Sequence, residues 1–249
     1  MKLSFSTRGW TGHSWDSLIS TALEMDFSGI EVHNPLAEEM FTGKGAPFDR
    51  YNTQATARAL RDAGLSIPVF DSPIDISAGE ESVRAAKALI DLAQAASVGM
   101  ACVIIQNDDE DAIHAALSEL VPYAEAHGVV LLIESSGIFS STTRLTGILD
   151  RYASDYLGVL WDVHNVYRTG GESPATTIKN LGAYVKHVHM RDSDDDGTFN
   201  LVGEGTLPIS EVVRALSSID YDGFVSLEWM PEWMEDLTDM EIIFPHFVN

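Results

Sequence analysis

The chain has 249 residues, 45% of them hydrophobic, enough to bury a substantial core, and no run of about 20 apolar residues suggests a membrane span. Its formal charge of −23, from 15 basic and 38 acidic side chains, opposes binding to nucleic acid, because affinity for phosphate backbones comes largely from Lys and Arg displacing counterions. The start, Met1-Lys-Leu-Ser-Phe-Ser6, enters a strand pattern without an apolar leader, and the single Cys102 cannot form an internal disulfide, so a cytoplasmic location is expected.

Short apolar runs alternate with longer amphipathic ones. The pattern predicts strands near residues 2–7, 28–33, 66–71, 101–106, 129–134, 157–162, 184–190 and 224–229. The first helix starts at Ser14, a candidate N-cap, and carries Leu18, Ile19, Ala22, Leu23 and Met25 at helical spacing. A second helix spans 52–63, with Gly64 as its C-cap, and helices three and four span 80–96 and 110–127. Segments 34–51, 191–207 and 230–241 carry no clear helix or strand, and the first, with its Gly and Pro punctuation, reads as a lid or substrate loop or as an ordinary packed excursion. The acidic runs 107–111 and 192–196 lack the spacing of a calcium loop and read as solvated. The closing segment, 239–249, is apolar enough for a helix packed on the barrel, although Pro245 interrupts it.

Eight strand signals separated by helix-sized segments predict an α/β fold, a single-domain (β/α)8 TIM barrel over 1–249, the length being close to the usual figure of about 250. A doubly wound sheet is the alternative. In a barrel the three unassigned segments all follow strand ends and therefore lie on the active face.

Four strands end on ligand-type residues: Val129-Val-Leu-Leu-Ile-Glu134, Gly158-Val-Leu-Trp-Asp162, Tyr184-Val-Lys-His-Val-His189 and Phe224-Val-Ser-Leu-Glu228. Alternation puts Leu132 with Glu134, Leu160 with Asp162, His187 with His189, and Ser226 with Glu228 on shared faces. Each final side chain can point into the barrel mouth, where a carboxylate is costly unless paired, hydrated or metal-bound. Two Glu, one Asp and one His suit one divalent ion, Mn2+, Mg2+, Co2+ or Zn2+. Such an ion polarises a sugar carbonyl and stabilises the enediolate formed when the neighbouring proton leaves. Glu134 and Glu228 are the candidate acid and base, one taking the proton and the other returning it.

These endings, with His189-Met-Arg-Asp192, the Gly203-Glu-Gly205 loop before Leu207-Pro-Ile-Ser-Glu-Val-Val-Arg-Ala-Leu216, and Gly223-Phe-Val-Ser-Leu-Glu228, resemble the xylose isomerase-like barrels, which include sugar and sugar-phosphate isomerases, ketose 3-epimerases and endonuclease IV enzymes. The resemblance covers essentially the whole chain. It implies that Glu134, Asp162, His189 and Glu228 are the metal ligands, with both Glu residues catalytic. Asp192 is similar to the acidic residue that follows the ligand His in many members, where it orients the histidine or touches substrate. His187, one layer deeper, is expected to be a hydrogen-bonded core histidine. Homo-oligomerisation is a further implication of the family.

One departure stands out. Many members place a second His three residues after the Asp, and here that slot is Asn165, with His164 one position earlier. His164 and Asn165 are therefore candidate substrate contacts, together with Glu204. Residues that build the three-metal cluster of the endonuclease branch are missing from 191–207. Trp10, His13, His33, Phe70 and Trp229 fall at or just beyond strand ends and read either as a substrate wall or as packing under loops. Arg168 and Arg191 can hold an anion, but no Gly-rich phosphate loop accompanies them, and Glu204 opposes one.

The expected partner is thus a small carbohydrate: a neutral sugar, polyol or glycoside-derived ketone, with no nucleic acid and no membrane. The expected activity is metal-dependent isomerisation or epimerisation. The alternatives are a lyase or dehydratase in the same barrel, and a metal-poor sugar-binding or accessory subunit, the latter motivated by Asn165.

Overall fold

A computed structural model describes residues 1–37, 47–48, 52–235, 237 and 239–248. Most of the loop expected over 34–51 therefore lies outside the described residues. Eight parallel strands close on themselves. They are β1 (Lys2–Ser6), β2 (Gly29–His33), β3 (Phe70–Asp71), β4 (Met100–Val103), β5 (Val130–Glu134), β6 (Leu157–Asp162), β7 (Val185–Met190) and β10 (Phe224–Leu227). Their order is β1-β10-β7-β6-β5-β4-β3-β2, with β1 paired to both β10 and β2. A closed ring replaces the doubly wound alternative, which would leave two open edges.

The helices are α1 (Trp15–Glu24), α2 (Thr53–Asp62), α3 (Glu80–Ala96), α4 (Glu110–His127), α5 (Thr142–Tyr152), α6 (Pro174–Leu181), α7 (Ile209–Ser217) and α8 (Met240–Val248). Local chemistry explains their bounds. Ser14 caps α1 by accepting from the Ser17 N–H at 3.2 Å, and Asp109 caps α4 by accepting from the Asp111 and Ala112 N–H groups. Gly64 lies one residue past the Ala63 C-cap of α2, at φ 77°, a left-handed conformation that suits glycine.

Two expectations need correction. The third strand is shorter than 66–71: only Phe70–Asp71 form the ladder, with a lone bridge from Ser66 to Gly29, and Pro68 between them has no N–H to donate. Segment 191–207 is not featureless. Asp192–Ser193 (β8) and Phe199–Asn200 (β9) form a small antiparallel hairpin whose turn is closed by the Gly197 N–H on the Asp194 carbonyl.

The barrel interior is divided. Val69, Cys102, Leu132 and Leu160 form an apolar plug on one side. On the other side the buried residues are polar: Ser4, Glu31, His187 and Ser226. Ser4 and Ser226 hydroxyls meet at 2.5 Å across the β1–β10 seam. A carboxylate and an imidazole at this depth need partners, and they find each other just under the mouth. No helix among the described residues is long and apolar enough to cross a membrane.

Candidate active site

The carboxyl ends of β5, β6, β7 and β10 place Glu134, Asp162, His189 and Glu228 at one mouth. Asp162 pairs in register with His189, and His189 with Ser226, two residues before Glu228. Asp162, His189 and Glu228 are all buried, and each offers a ligand atom within 4.8 Å of the others. Glu134 stands outside that trio but within electrostatic reach of Asp162 and His189; its carbonyl accepts from the Ser136 N–H at 2.9 Å, and its carboxyl faces the other acids. Burial, reinforced by the charges of Asp162 and Asp71, raises its carboxyl to about 7.

Beneath this layer lies a residue that strand-end reasoning missed. Glu31, from β2, is fully buried and accepts from His187 Nε2 at 2.7 Å and His189 Nε2 at 2.9 Å. Burial opposes its charge, but the charge of His189 and hydrogen bonds from both imidazoles outweigh that and hold its carboxyl well below the usual range. Burial likewise opposes a proton on His189, yet Glu31 raises it to about 9, while burial keeps His187 low. His187 also contacts Ser226 at 3.1 Å, as befits a core histidine. The available signal was parity: in Gly29-Ile-Glu-Val-His33, Glu31 and His33 share the inward face. His33 itself meets Asp71 at 2.5 Å, and this contact keeps the Asp71 carboxyl low despite its burial.

Two arginines complete the polar layer. Arg8, in the turn after β1, donates to Glu228 Oε1 at 2.5 Å, and Arg191 bridges Asp162 Oδ2, at 2.9 Å, and Glu228. Arg191 thus contacts carboxylates of the protein. Arg168 is likewise engaged, with Ser193, Asp195 and Thr206, and so pins the hairpin.

The expected substrate contacts divide. Asn165 opens a short π-helical turn, Asn165–Thr169, that brings both its N–H and its amide onto the Asp162 oxygens at 2.8 and 2.7 Å. It therefore orients Asp162. Asp192, expected to orient the histidine or touch substrate, instead accepts four backbone N–H groups, from Ser193, Gly203, Gly205 and Leu207, at 2.8–3.1 Å. Trp10 and Trp229 are almost fully buried; Trp10 packs edge-on to Phe244, so the pair belongs to the packing under the loops more than to an open wall. Phe70 is fully buried as well, and His13 lies edge-on to Trp10. Glu204 is 55% exposed, 3.7 Å from His246.

His164 remains in the mouth. Its Nε2 meets Ser193 Oγ at 3.0 Å and its ring stacks on Phe199, centroids 5.1 Å apart. Burial, with the charge of Arg191 next, lowers it to about 4, so it is neutral at ordinary pH.

The donor set fits a divalent ion on its own chemistry. Two carboxylates and one imidazole, from Asp162, Glu228 and His189, converge, and His189 holds Glu31 through Nε2 while its Nδ1 is buried with no hydrogen-bond partner. An imidazole oriented by a buried carboxylate, with its other nitrogen unused, is the usual arrangement of a histidine ligand.

Comparison with known proteins agrees with this architecture. Fructoselysine 3-epimerase of Escherichia coli O157:H7 is 28% identical over 126 residues, which cover 48% of this chain and 46% of that protein. The matching stretch spans less than half the length of the curated relatives. Among solved structures, the probable 3-DHS dehydratase AsbF of Bacillus anthracis superposes with a TM-score of 0.80 at 17% identity, covering 100% of this chain and 99% of that one. IolI protein with a bound zinc atom does so with a TM-score of 0.80 at 15% identity, covering 100% and 96%. At those identities the likeness is one of fold. The profile of the xylose isomerase-like TIM barrel family matches residues 19–241, and the chain belongs to that family.

Proposed function

We propose that the chain is a divalent-metal-dependent carbohydrate isomerase or epimerase that moves a proton at the carbon next to a carbonyl. The observation that carries this reading is the buried trio Asp162, His189 and Glu228, ligand atoms within 4.8 Å of one another, beside a carboxyl held near neutrality. Sugar epimerases in the family, fructoselysine 3-epimerase among the relatives, support the class, and the zinc in IolI supports a first-row divalent ion. When bound, the ion supplies Lewis-acid polarisation of the carbonyl and holds the neighbouring hydroxyl.

The chain's own groups do the rest. Glu134, at about 7, takes up and releases a proton with little free-energy change at neutral pH, which is the requirement for an acid–base group. Glu228, on a distant strand, approaches the substrate from another side and is the candidate to return the proton. Asn165 fixes the Asp162 carboxylate, and Glu31 fixes the His189 ring, so both are held before substrate arrives. His164, neutral, can donate or accept one hydrogen bond at a sugar hydroxyl.

A second reading is elimination of water or an aglycone, and it draws on Glu134: a carboxyl that retains its proton at neutral pH can protonate a departing hydroxyl. The experiment is to incubate the Mn2+-supplemented protein with a panel of ketoses and 3-keto glycosides in D2O. One deuterium retained in an intact sugar is the expected result, and loss of water or an aglycone supports elimination. No conversion, with no metal retained after purification without chelator, sinks the enzyme reading in favour of a sugar-binding subunit.

A further inference from the structure

Arg191 touches two systems at once. Its Nη2 is ion-paired with Asp162 Oδ2 at 2.9 Å and its Nη1 with Glu228 Oε2, while the guanidinium lies 5.4 Å from the centre of the Trp233 ring. Trp233 stacks on Phe199, centroids 4.2 Å apart and planes 14° off parallel, and Phe199 stacks on His164. One continuous run of flat groups therefore leads from the carboxylates to three separate loops, those following β10, within the β8–β9 hairpin, and following β6.

We propose that Arg191 is an internal counter-ion that competes with a divalent cation for Asp162 and Glu228, and that its withdrawal on cation binding is transmitted through Trp233 to the aromatic stack at the mouth. The proposal rests on the reading of Asp162, His189 and Glu228 as cation ligands.

The oxygens are already crowded. Asp162 Oδ1 accepts from the Asn165 N–H, Asp162 Oδ2 accepts from the Asn165 amide and is ion-paired with Arg191, and Glu228 Oε1 accepts from Arg8 while its Oε2, ion-paired with Arg191, has no hydrogen-bond partner. A cation bonds such oxygens at about 2.0–2.2 Å, which brings two positive groups to the same atoms in a buried setting where their repulsion is poorly screened. One must leave. Arg8 can remain, because its side chain is 42% exposed and approaches from the rim, whereas Arg191 is 10% exposed and lies between the two carboxylates. Arg191 is also incompletely satisfied, since its Nε is buried with no hydrogen-bond partner, which lowers the cost of giving up this position. A guanidinium that shifts changes its contact with Trp233, and the stack carries the change to Phe199 and His164.

Calorimetric titration with Zn2+ in physiological salt tests the first half, using the wild-type protein and the Arg191→Gln, Arg191→Lys and Trp233→Phe variants, with Asp162→Asn defining binding elsewhere. Arg191→Gln should bind Zn2+ about tenfold tighter or more, a gain of about 1.4 kcal/mol. Arg191→Lys should stay near wild type because it keeps the charge. A damaged fold would lower affinity, so a gain cannot come from misfolding. Tryptophan emission tests the second half: Zn2+ should shift it in wild type, and the shift should vanish in Arg191→Gln and in Trp233→Phe, the latter keeping its affinity. Wild-type binding with Arg191→Gln equal or weaker overturns this proposal alone, as does a Zn2+ response that survives Trp233→Phe. Absence of Asp162-dependent binding in every protein overturns both it and the metalloenzyme reading.

Discussion

Glu134 is the residue where fold and chemistry pull against each other. Its carboxyl is raised from 4.5 to about 7 by burial and by the neighbouring acids, so the folded state holds this proton more tightly than the unfolded chain does. The stability linked to that proton is complete below about 4.5 and is lost as pH rises towards 7. Glu134→Gln cannot ionise, and with a chelator present it should gain on the parent across that window, by up to about 3 kcal/mol above pH 7. Urea unfolding at pH 5 and pH 8 measures the difference, and a gap that does not change with pH would show that Glu134 titrates normally. Glu134, Asp162, His189 and Glu228 were legible because each closes an apolar run, and strand parity alone gives them one side. Glu31 was harder to read, since it lies inside its strand and its partners are 156 and 158 residues away. Arg191 was read as a holder of an anion, and its pairing with Asp162 and Glu228 was not foreseen for another reason: a long side chain reaches across neighbouring strands, so backbone parity does not place its charged end.

At the scale of elements, the β8–β9 hairpin and the loop after it are organised around Asp192. Its two oxygens accept four backbone N–H groups, and a Cβ on Gly205 would lie 2.3 Å from one of them, so only glycine permits that approach. Asp192→Asn replaces one acceptor with a donor facing N–H groups, and should cost about 2 kcal/mol or more. It should also speed proteolytic cleavage within 193–206, compared by mass spectrometry with the parent. Equal cleavage would mean that Arg168 suffices to hold the hairpin. The sequence carries little trace of this clamp, because three of the N–H donors lie 11 to 15 residues downstream and belong to the backbone. Helices were easier. The bounds of α3 and α4 coincide with the periodic runs at 80–96 and 110–127, since caps and apolar spacing both act locally.

The whole molecule carries far more negative than positive charge, 38 acidic against 15 basic residues. Exposed ion pairs such as Lys87–Glu119 weaken with salt, but self-repulsion is the larger effect at this imbalance. The unfolding temperature should therefore rise between about 0.01 and 0.15 M NaCl, over which the screening length falls from about 30 to 8 Å. A fall, read by differential scanning calorimetry, would mean that local ion pairs outweigh the net charge.

The seam between β1 and β10 has a consequence in time. Lys2–Ser6 is hydrogen-bonded to Phe224–Leu227, so the first strand waits for the last, more than 200 residues later, before both of its edges are paired. Contacts so distant in sequence form slowly, and until they form the unfinished barrel exposes strand edges to aggregation. Glu228 follows that last strand directly. The polar centre, to which Arg8 and Glu31 come from the turn after the first strand and from the second, is thus completed only at ring closure.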